Sequence, residues 1–408
     1  MRGRSARGAV SALAVAAILA GCAAASRVAE APPVLAEIDR RVRETFWDPQ
    51  LKGADWKGAV ARAAEELPAA SSERERDRVY DRLLAVLADS HTFRLPRGAY
   101  RSRSWGTAGL RIGQDSGGYA VKGVLPDSPA ARAGMKLGDR ILEVNGEKYG
   151  KDRVDFRRLF LVFEGSPASE LSLTWQPAGA AAPRTDRLQR AAEEPGQSLV
   201  WKSARVIRRA GRSFGYARLW GISAETALAV VDLLLDREEV ERAGGPLAGW
   251  GAIEGFVLDV RGNSGGYDPN ILATFFRGRW SAGDYWVRTR EGRRLAPPEY
   301  RPLPVALLVN SGTASAGEAL ALKFRAHAIG PIVGETTAGM ASGGAGSYAL
   351  PDGSTLWITQ RAIEDAEGRS YEGRGVAPDV AVADAPPARP GEEEAVVEAG
   401  LRALAARK

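Results

Sequence analysis

Val34, Ile38, Val42 and Phe46 recur at every fourth position, which places them on one stripe of an amphipathic helix. A second stripe, Val79, Leu83, Val86 and Leu87, follows a charged start over residues 73–77, and a helix is predicted there too. Together they make a small helical unit that ends near Pro96. The pattern then changes. Over residues 109–176, apolar and polar positions form short runs, such as 119–124 and 140–144, separated by Gly, Pro and Asp turns, which reads as a β-rich segment. From 200 to 382 the chain alternates: strand 215–220, helix 224–236, strand 253–260, strand 305–310, helix 315–325. Strands alternating with helices predict an α/β core. A Pro/Ala stretch at 177–183 marks a boundary, and a Pro, Ala and Glu-rich tail leads into a helix at 392–405 that is expected to lie at the periphery.

The N-terminus adds a location. Arg2, Arg4 and Arg7 precede an apolar run over 9–20, too short to span a bilayer comfortably, so residues 1–21 read as a signal peptide. It ends in Leu19-Ala20-Gly21-Cys22, which resembles the lipobox of bacterial lipoproteins. Cys22 is also the only cysteine, so no internal disulfide exists for it to serve. Lipid attachment at Cys22 is therefore expected, with residues 22–33 as a tether and the protein held by its anchor in the cell envelope, facing the periplasm or exterior. Ala23 after the cysteine is compatible with outer-membrane sorting.

Composition excludes several classes. The formal charge is +6, and removing the three leader arginines leaves about +3, too little to imply nucleic acid. With 45% hydrophobic and 26% charged residues, the chain suits two or three globular domains. Two histidines and one cysteine supply no metal-ligand cluster, so neither metal nor cofactor is expected.

Two segments can carry chemistry. The stretch 310–318, Asn-Ser-Gly-Thr-Ala-Ser-Ala-Gly-Glu, joins an apolar strand to a helix and puts Ser315 at a helix N-terminus, where free N–H groups favour developing negative charge. Taken alone, the segment suits a helix-capping serine equally well. The stretch 258–266, Leu-Asp-Val-Arg-Gly-Asn-Ser-Gly-Gly, runs a buried strand into a glycine turn, and glycines let a backbone approach a ligand closely. It is not a phosphate loop, because no Lys-Ser/Thr follows. Asp259 and Arg261 read as a charged pair supporting the turn.

Together these two stretches resemble the signature of the carboxyl-terminal processing (tail-specific) serine peptidases. The 109–176 region resembles a PDZ domain, through Gly109-Leu110-Arg111-Ile112 in the place of the carboxylate-binding loop and through the run 128–146. The resemblance implies an α/β fold: a crotonase/ClpP-like ββα core at 195–384, an N-terminal helical cap at 34–100, an inserted PDZ domain at 105–180 and a peripheral tail at 385–408. It also implies a nucleophile at Ser315, an oxyanion hole from Ala316 with Gly265 or Gly266, and a peptide-binding loop at 109–112. A general-base lysine, expected about 25 residues beyond the serine, is replaced by Met340, which cannot take a proton. His327 lies about 18 Å along the helix that Ser315 begins and reads as structural. The stretch 88–93, Ala-Asp-Ser-His-Thr-Phe, is instead similar to the tricorn core protease subfamily, which uses a Ser–His–Glu arrangement with an extra serine. That likeness implies His91 as base, Ser90 as the extra serine and Glu372, in Tyr371-Glu372-Gly373, as the acid. The expected function is a lipid-anchored endopeptidase acting on polypeptides through an acyl-enzyme. The alternatives are a catalytically inactive peptide- or ligand-binding homologue and a PDZ scaffold.

Overall fold

The computed structural model describes residues 32–97, 106–115, 117–149, 163–267, 269–278, 287–288, 294–295, 302–365, 367–386 and 393–406. The expected signal peptide, Cys22 and nearly all of the tether lie outside the described residues. First along the chain come helices α1 (Pro33–Thr45), α2 (Trp56–Glu66) and α3 (Glu73–Ala85) and strand β1 (Phe93–Leu95). Five strands follow: β2 (Leu110–Asp115), β3 (Gly118–Val124), β4 (Arg140–Val144), β5 (Glu170–Gln176) and β6 (Arg184–Gln189). The largest unit begins with α4 (Gly196–Ser203), β7 (Arg205–Arg209), β8 (Arg212–Arg218), α5 (Ala224–Leu235), β9 (Gly255–Asp259) and α6 (Asn270–Phe276). It continues through β10 (Val305–Val309), α7 (Ala316–Ala326), β11 (Ile332–Gly334), β12 (Gly343–Ala349), β13 (Thr355–Arg361), β14 (Val380–Ala381) and α8 (Ala395–Ala405).

A sheet of order β7-β8-β9-β10-β11-β14 is the scaffold, parallel except for the β7–β8 hairpin. Strands β9 and β10 are buried along their whole length, as continuous apolar runs covered on both faces must be. One face, through Phe256, Leu258, Leu307 and Val309, meets Val230 and Leu234 of α5, Leu272 of α6, and Leu320 and Phe324 of α7. The alternate residues Val257, Ala306 and Leu308 meet Val396, Val397, Leu401 and Leu404 of α8. The expectation of a peripheral tail is therefore corrected: α8 is the layer covering the second face, and it lies so close that a Cβ on Gly400 would stand 2.9 Å from Leu308 Cδ2. The Pro, Ala and Glu-rich approach to the helix hid this, because the helix's large apolar residues, Val396, Val397, Leu401 and Leu404, lie on one short helical stripe.

The cap also draws on both ends of the chain. The stripes Val34, Ile38, Val42 and Phe46, and Val79, Leu83 and Leu87, are buried, but they share their core with Leu350, Leu356 and Ile358 of the β12–β13 hairpin. Strand β1 pairs with β13, Phe93 opposite Trp357, and the Trp47 N–H donates to the Thr359 carbonyl at 3.0 Å. The hairpin thus leaves the α/β unit to close the cap, which holds the segment around β1 against it.

The sheet of the segment expected to be a PDZ domain is antiparallel in the order β2-β3-β4-β5-β6. It is seated directly on the core: Lys122 of β3 donates to Glu335 at 2.9 Å, and its carbonyl accepts from Asn310 Nδ2 at 3.1 Å. Among the described residues, no helix is long and apolar enough to cross a membrane.

Candidate active site

The glycine turn after β9 and the loop after β10 are stapled together by one side chain. Asn310 Oδ1 accepts from Gly262 N–H at 2.8 Å and Gly312 N–H at 3.0 Å, while its Nδ2 donates to Asp384 at 2.6 Å. Beneath the turn, Arg261 donates to Asp259 through Nη2 and to Asp384 through Nη1, both at 2.6 Å, and Tyr216 O–H adds a third tie to Asp259 at 2.6 Å. Burial opposes charge on Asp259, but Arg261 and Arg218 outweigh it and hold its carboxyl well below the usual range. Asp259 and Arg261 thus support the turn as a charged pair, extended by Asp384 from the far end of the core.

Ser315 stands between β10 and α7 with φ +54° and ψ −118°, a backbone conformation that a non-glycine residue keeps only when its surroundings hold it. Three groups do so. Its N–H donates to the Met340 carbonyl and to Glu318 Oε2, each at 3.1 Å. Gly265, with φ +100°, passes so close that a Cβ there would lie 2.5 Å from Ser315 Cβ, so only glycine fits. Glu318 is fully buried and also accepts from Thr337 Oγ1 at 2.6 Å and from the N–H groups of Gly339 and Met340 at 2.8 Å. Burial pushes its carboxyl up to about 7 against these four donors. Met340, where the resemblance places a lysine, takes part through its backbone on both sides of this network.

From the cap, the turn 88–92 brings His91 down to Ser315. His91 Nε2 lies 3.1 Å from Ser315 Oγ. On its other side, Nδ1 is 2.9 Å from Ser90 Oγ, and Ser90 gives its hydroxyl proton to Glu372 Oε2 at 2.9 Å and its N–H to Glu372 Oε1 at 2.8 Å. A carboxylate only accepts, so Ser90 Oγ is left to accept from Nδ1–H, and Nε2 is then the lone-pair nitrogen facing Ser315. The neighbours Ser90 and His91, together with Ser315 and Glu372 from more than two hundred positions further on, form one hydrogen-bonded chain whose chemical capacity is to take a proton from a serine hydroxyl. Ala316 opens α7, so its N–H is among those with no partner inside the helix. Gly265 gives its N–H to Asn263 Oδ1 at 2.9 Å, which leaves Gly266 as the glycine of the turn with an amide to offer.

Residues 109–112 enter the edge strand β2, which among the described residues pairs only with β3. Gly109 N–H already donates to Thr107 Oγ1 at 2.9 Å, and Leu110 and Ile112 point into the PDZ core. Arg111 turns toward Glu164, 3.6 Å away, and toward Gly262 of the glycine turn. His327 lies at the far end of α7. Sequence reasoning missed Asn310, Glu318, Asp89, Thr359 and Ser342. Asn310, Glu318 and Asp89 sit inside the quoted motifs, whereas nothing local distinguishes Ser342 or Thr359.

In comparison with known proteins, residues 213–382 match peptidase family S41 and residues 121–171 match the PDZ domain. The chain is 28% identical over 371 residues to tricorn protease homolog 1 of Streptomyces coelicolor, covering 86% of this chain and 33% of that protein. It is 28% identical over 282 residues to the carboxy-terminal processing protease CtpB of Bacillus subtilis, covering 67% of this chain and 54% of the relative. The chain thus spans about a third to a half of the length of these curated relatives. Its fold is similar to that of a photosystem II D1 C-terminal processing protease, with a TM-score of 0.56 and 24% identity over 86% of this chain and 92% of the other.

Proposed function

We propose, from the match of residues 213–382 to peptidase family S41 and of residues 121–171 to the PDZ domain, that this chain is a serine endopeptidase with Ser315 as nucleophile and His91 as base. The observation that carries the reading is the 3.1 Å approach of His91 Nε2 to Ser315 Oγ, with the far side of the ring tied through Ser90 to Glu372. In attack, Ser315 Oγ bonds to the scissile carbonyl carbon as its proton passes to Nε2. The imidazolium so formed is stabilised by Ser90 and Glu372. Negative charge on the carbonyl oxygen rests on the N–H groups of Ala316 and Gly266, with the positive end of α7 behind them. Collapse expels the amine, which takes the proton from Nε2, and water repeats the sequence on the acyl-enzyme.

A polypeptide is the substrate class, its tail received by the PDZ domain near Gly109, Leu110, Arg111 and Ile112. The edge of β2 is the surface on which an extended segment adds as a strand. The mature chain is further proposed to start at a diacylated Cys22 and to work at the envelope membrane, two acyl chains giving the stable anchoring that one cannot. Full-length protein in detergent, assayed on casein and on a tailed peptide, tests the reading. Ser315→Ala and His91→Ala should each lose at least about a thousandfold in kcat/KM, Met340→Lys should not rescue His91→Ala, and a fluorophosphonate should label Ser315 alone. Absent turnover and labelling, or activity surviving Ser315→Ala, would leave a peptide-binding homologue. A Cys22→Ser variant that still incorporates labelled palmitate would refute the anchor.

A further inference from the structure

Ser342 opens the segment before β12 and is 7% exposed. Its hydroxyl lies 2.9 Å from Glu372 Oε2 and 2.9 Å from Asp89 Oδ2. One hydroxyl proton cannot serve two carboxylates at once, so these acids share a single donor. Asp89 is held by three further donors on Oδ1: the His91 N–H at 3.1 Å, Thr92 Oγ1 at 2.9 Å and Thr359 Oγ1 at 2.5 Å. The bonds close a ring. From the His91 backbone they run to Asp89, through Ser342 to Glu372, and through Ser90 to the His91 imidazole.

We propose that Asp89 is a second acid behind the His91 imidazole, coupled to Glu372 through the hydroxyl of Ser342, with Asp89 and Ser342 acting as positioning residues that do not touch substrate. The inference rests on reading Ser90, His91, Ser315 and Glu372 as the catalytic set. At rest the Ser342 proton serves Glu372. As the ring gains its second proton, Ser90 donates more strongly to Glu372, and the Ser342 proton turns to Asp89. The transition state is then balanced by two carboxylates instead of one, at no cost in side-chain movement, because Asp89 is already clamped between the cap and β13. The acidic groups that the described hydrogen bonds bring to the ring are Glu372 and Asp89 on its acid side and Glu318, which meets the Ser315 amide from the core side. Among the cations, Lys52 donates to the Ala88 carbonyl beside Asp89 at 2.6 Å, while Arg94 is engaged by Asp77 and Asp352, and Arg374 by Asp365.

Because the chain has only two histidines, the His91 ring can be titrated directly by NMR on histidine-labelled full-length protein, with His91→Gln to assign the signal. Asp89→Asn is isosteric: its amide oxygen keeps the Oδ1 donors, and its NH₂ donates to Ser342 and drives that proton onto Glu372. Negative potential at the ring falls, so the His91 midpoint should drop by about half a unit or more. kcat should fall about tenfold with KM unchanged. Ser342→Ala removes a proton that both acids were using, so its midpoint should rise, and Ser342→Thr should restore it. A midpoint in Asp89→Asn within about 0.2 units of the wild type, or shifts of the same sign in Asp89→Asn and Ser342→Ala, would overturn the proposal; a purely structural role predicts neither shift. The ring titration is read whether or not the protein turns over. An inactive wild type would therefore count against the peptidase reading, and an uncoupled ring against this one.

Discussion

Replacing Gly265 by alanine puts a methyl carbon 2.5 Å from Ser315 Cβ and 3.0 Å from Ser315 Oγ, with the Ala314 carbonyl at 3.2 Å on the other side. None of these is the free end of a flexible side chain, so the backbone must move. The variant also forces a side chain into φ +100°. The backbone conformation costs about 1 kcal/mol, and the overpacking adds about 1–3 kcal/mol. The larger effect falls on chemistry. Relieving a 2.5 Å contact to an ordinary separation needs roughly 1 Å of displacement between the turn and the serine, and a misplacement of that size costs about a hundredfold in rate. The expected result is a loss of about a hundredfold or more in kcat/KM and in the rate of fluorophosphonate labelling, with a fold destabilised by only a few kcal/mol. Gly211→Ala is the matched control. Its φ is +79° and nothing lies within 4 Å of the added Cβ, so it should lose about 1 kcal/mol and no activity. Thermal melting and peptidase kinetics on the three proteins decide the matter. If Gly265→Ala labelled and cleaved like the wild type, the claim that this turn sets the position of Ser315 would be wrong.

Two further outcomes follow from the buried groups. Glu318 has a folded pKa of about 7 against 4.5 for the free side chain, so from pH 4.5 to 7 the folded protein holds a proton that the unfolded chain has released. Its contribution is present in full below 4.5 and gone above 7, a decline of about 3 kcal/mol across the window. Glu318→Gln should flatten that part of the stability profile in denaturant titrations, and an unchanged slope would refute the assignment. Leu401→Ala on α8 should cost about 2–4 kcal/mol by opening a cavity over Leu308 and Val257. A shift in the denaturant midpoint worth less than about 1 kcal/mol would mean the tail is peripheral after all.

By itself the sequence determined what is local. The stripes of α1 and α3, the all-apolar strands β9 and β10, and the glycine turn are written in short-range pattern, because periodicity and buried runs follow from which face each residue must hide. The strand-to-helix setting of Ser315 is equally local, and a motif read in one dimension could nominate His91, Ser90 and Glu372 as its partners. Only the tertiary structure decided whether those side chains meet. The β12–β13 hairpin leaves the core to complete the cap, and that excursion, invisible in any window of sequence, sets His91 over Ser315. The same holds for Ser342 and Asp89, whose side chains meet in a hydrogen bond across a gap of more than two hundred positions, and for α8, whose apolar stripe looked peripheral until the sheet it covers was in view. Each depends on which surfaces become neighbours when the chain closes, and hydrogen bonds and packing contacts of that kind carry no periodic signature.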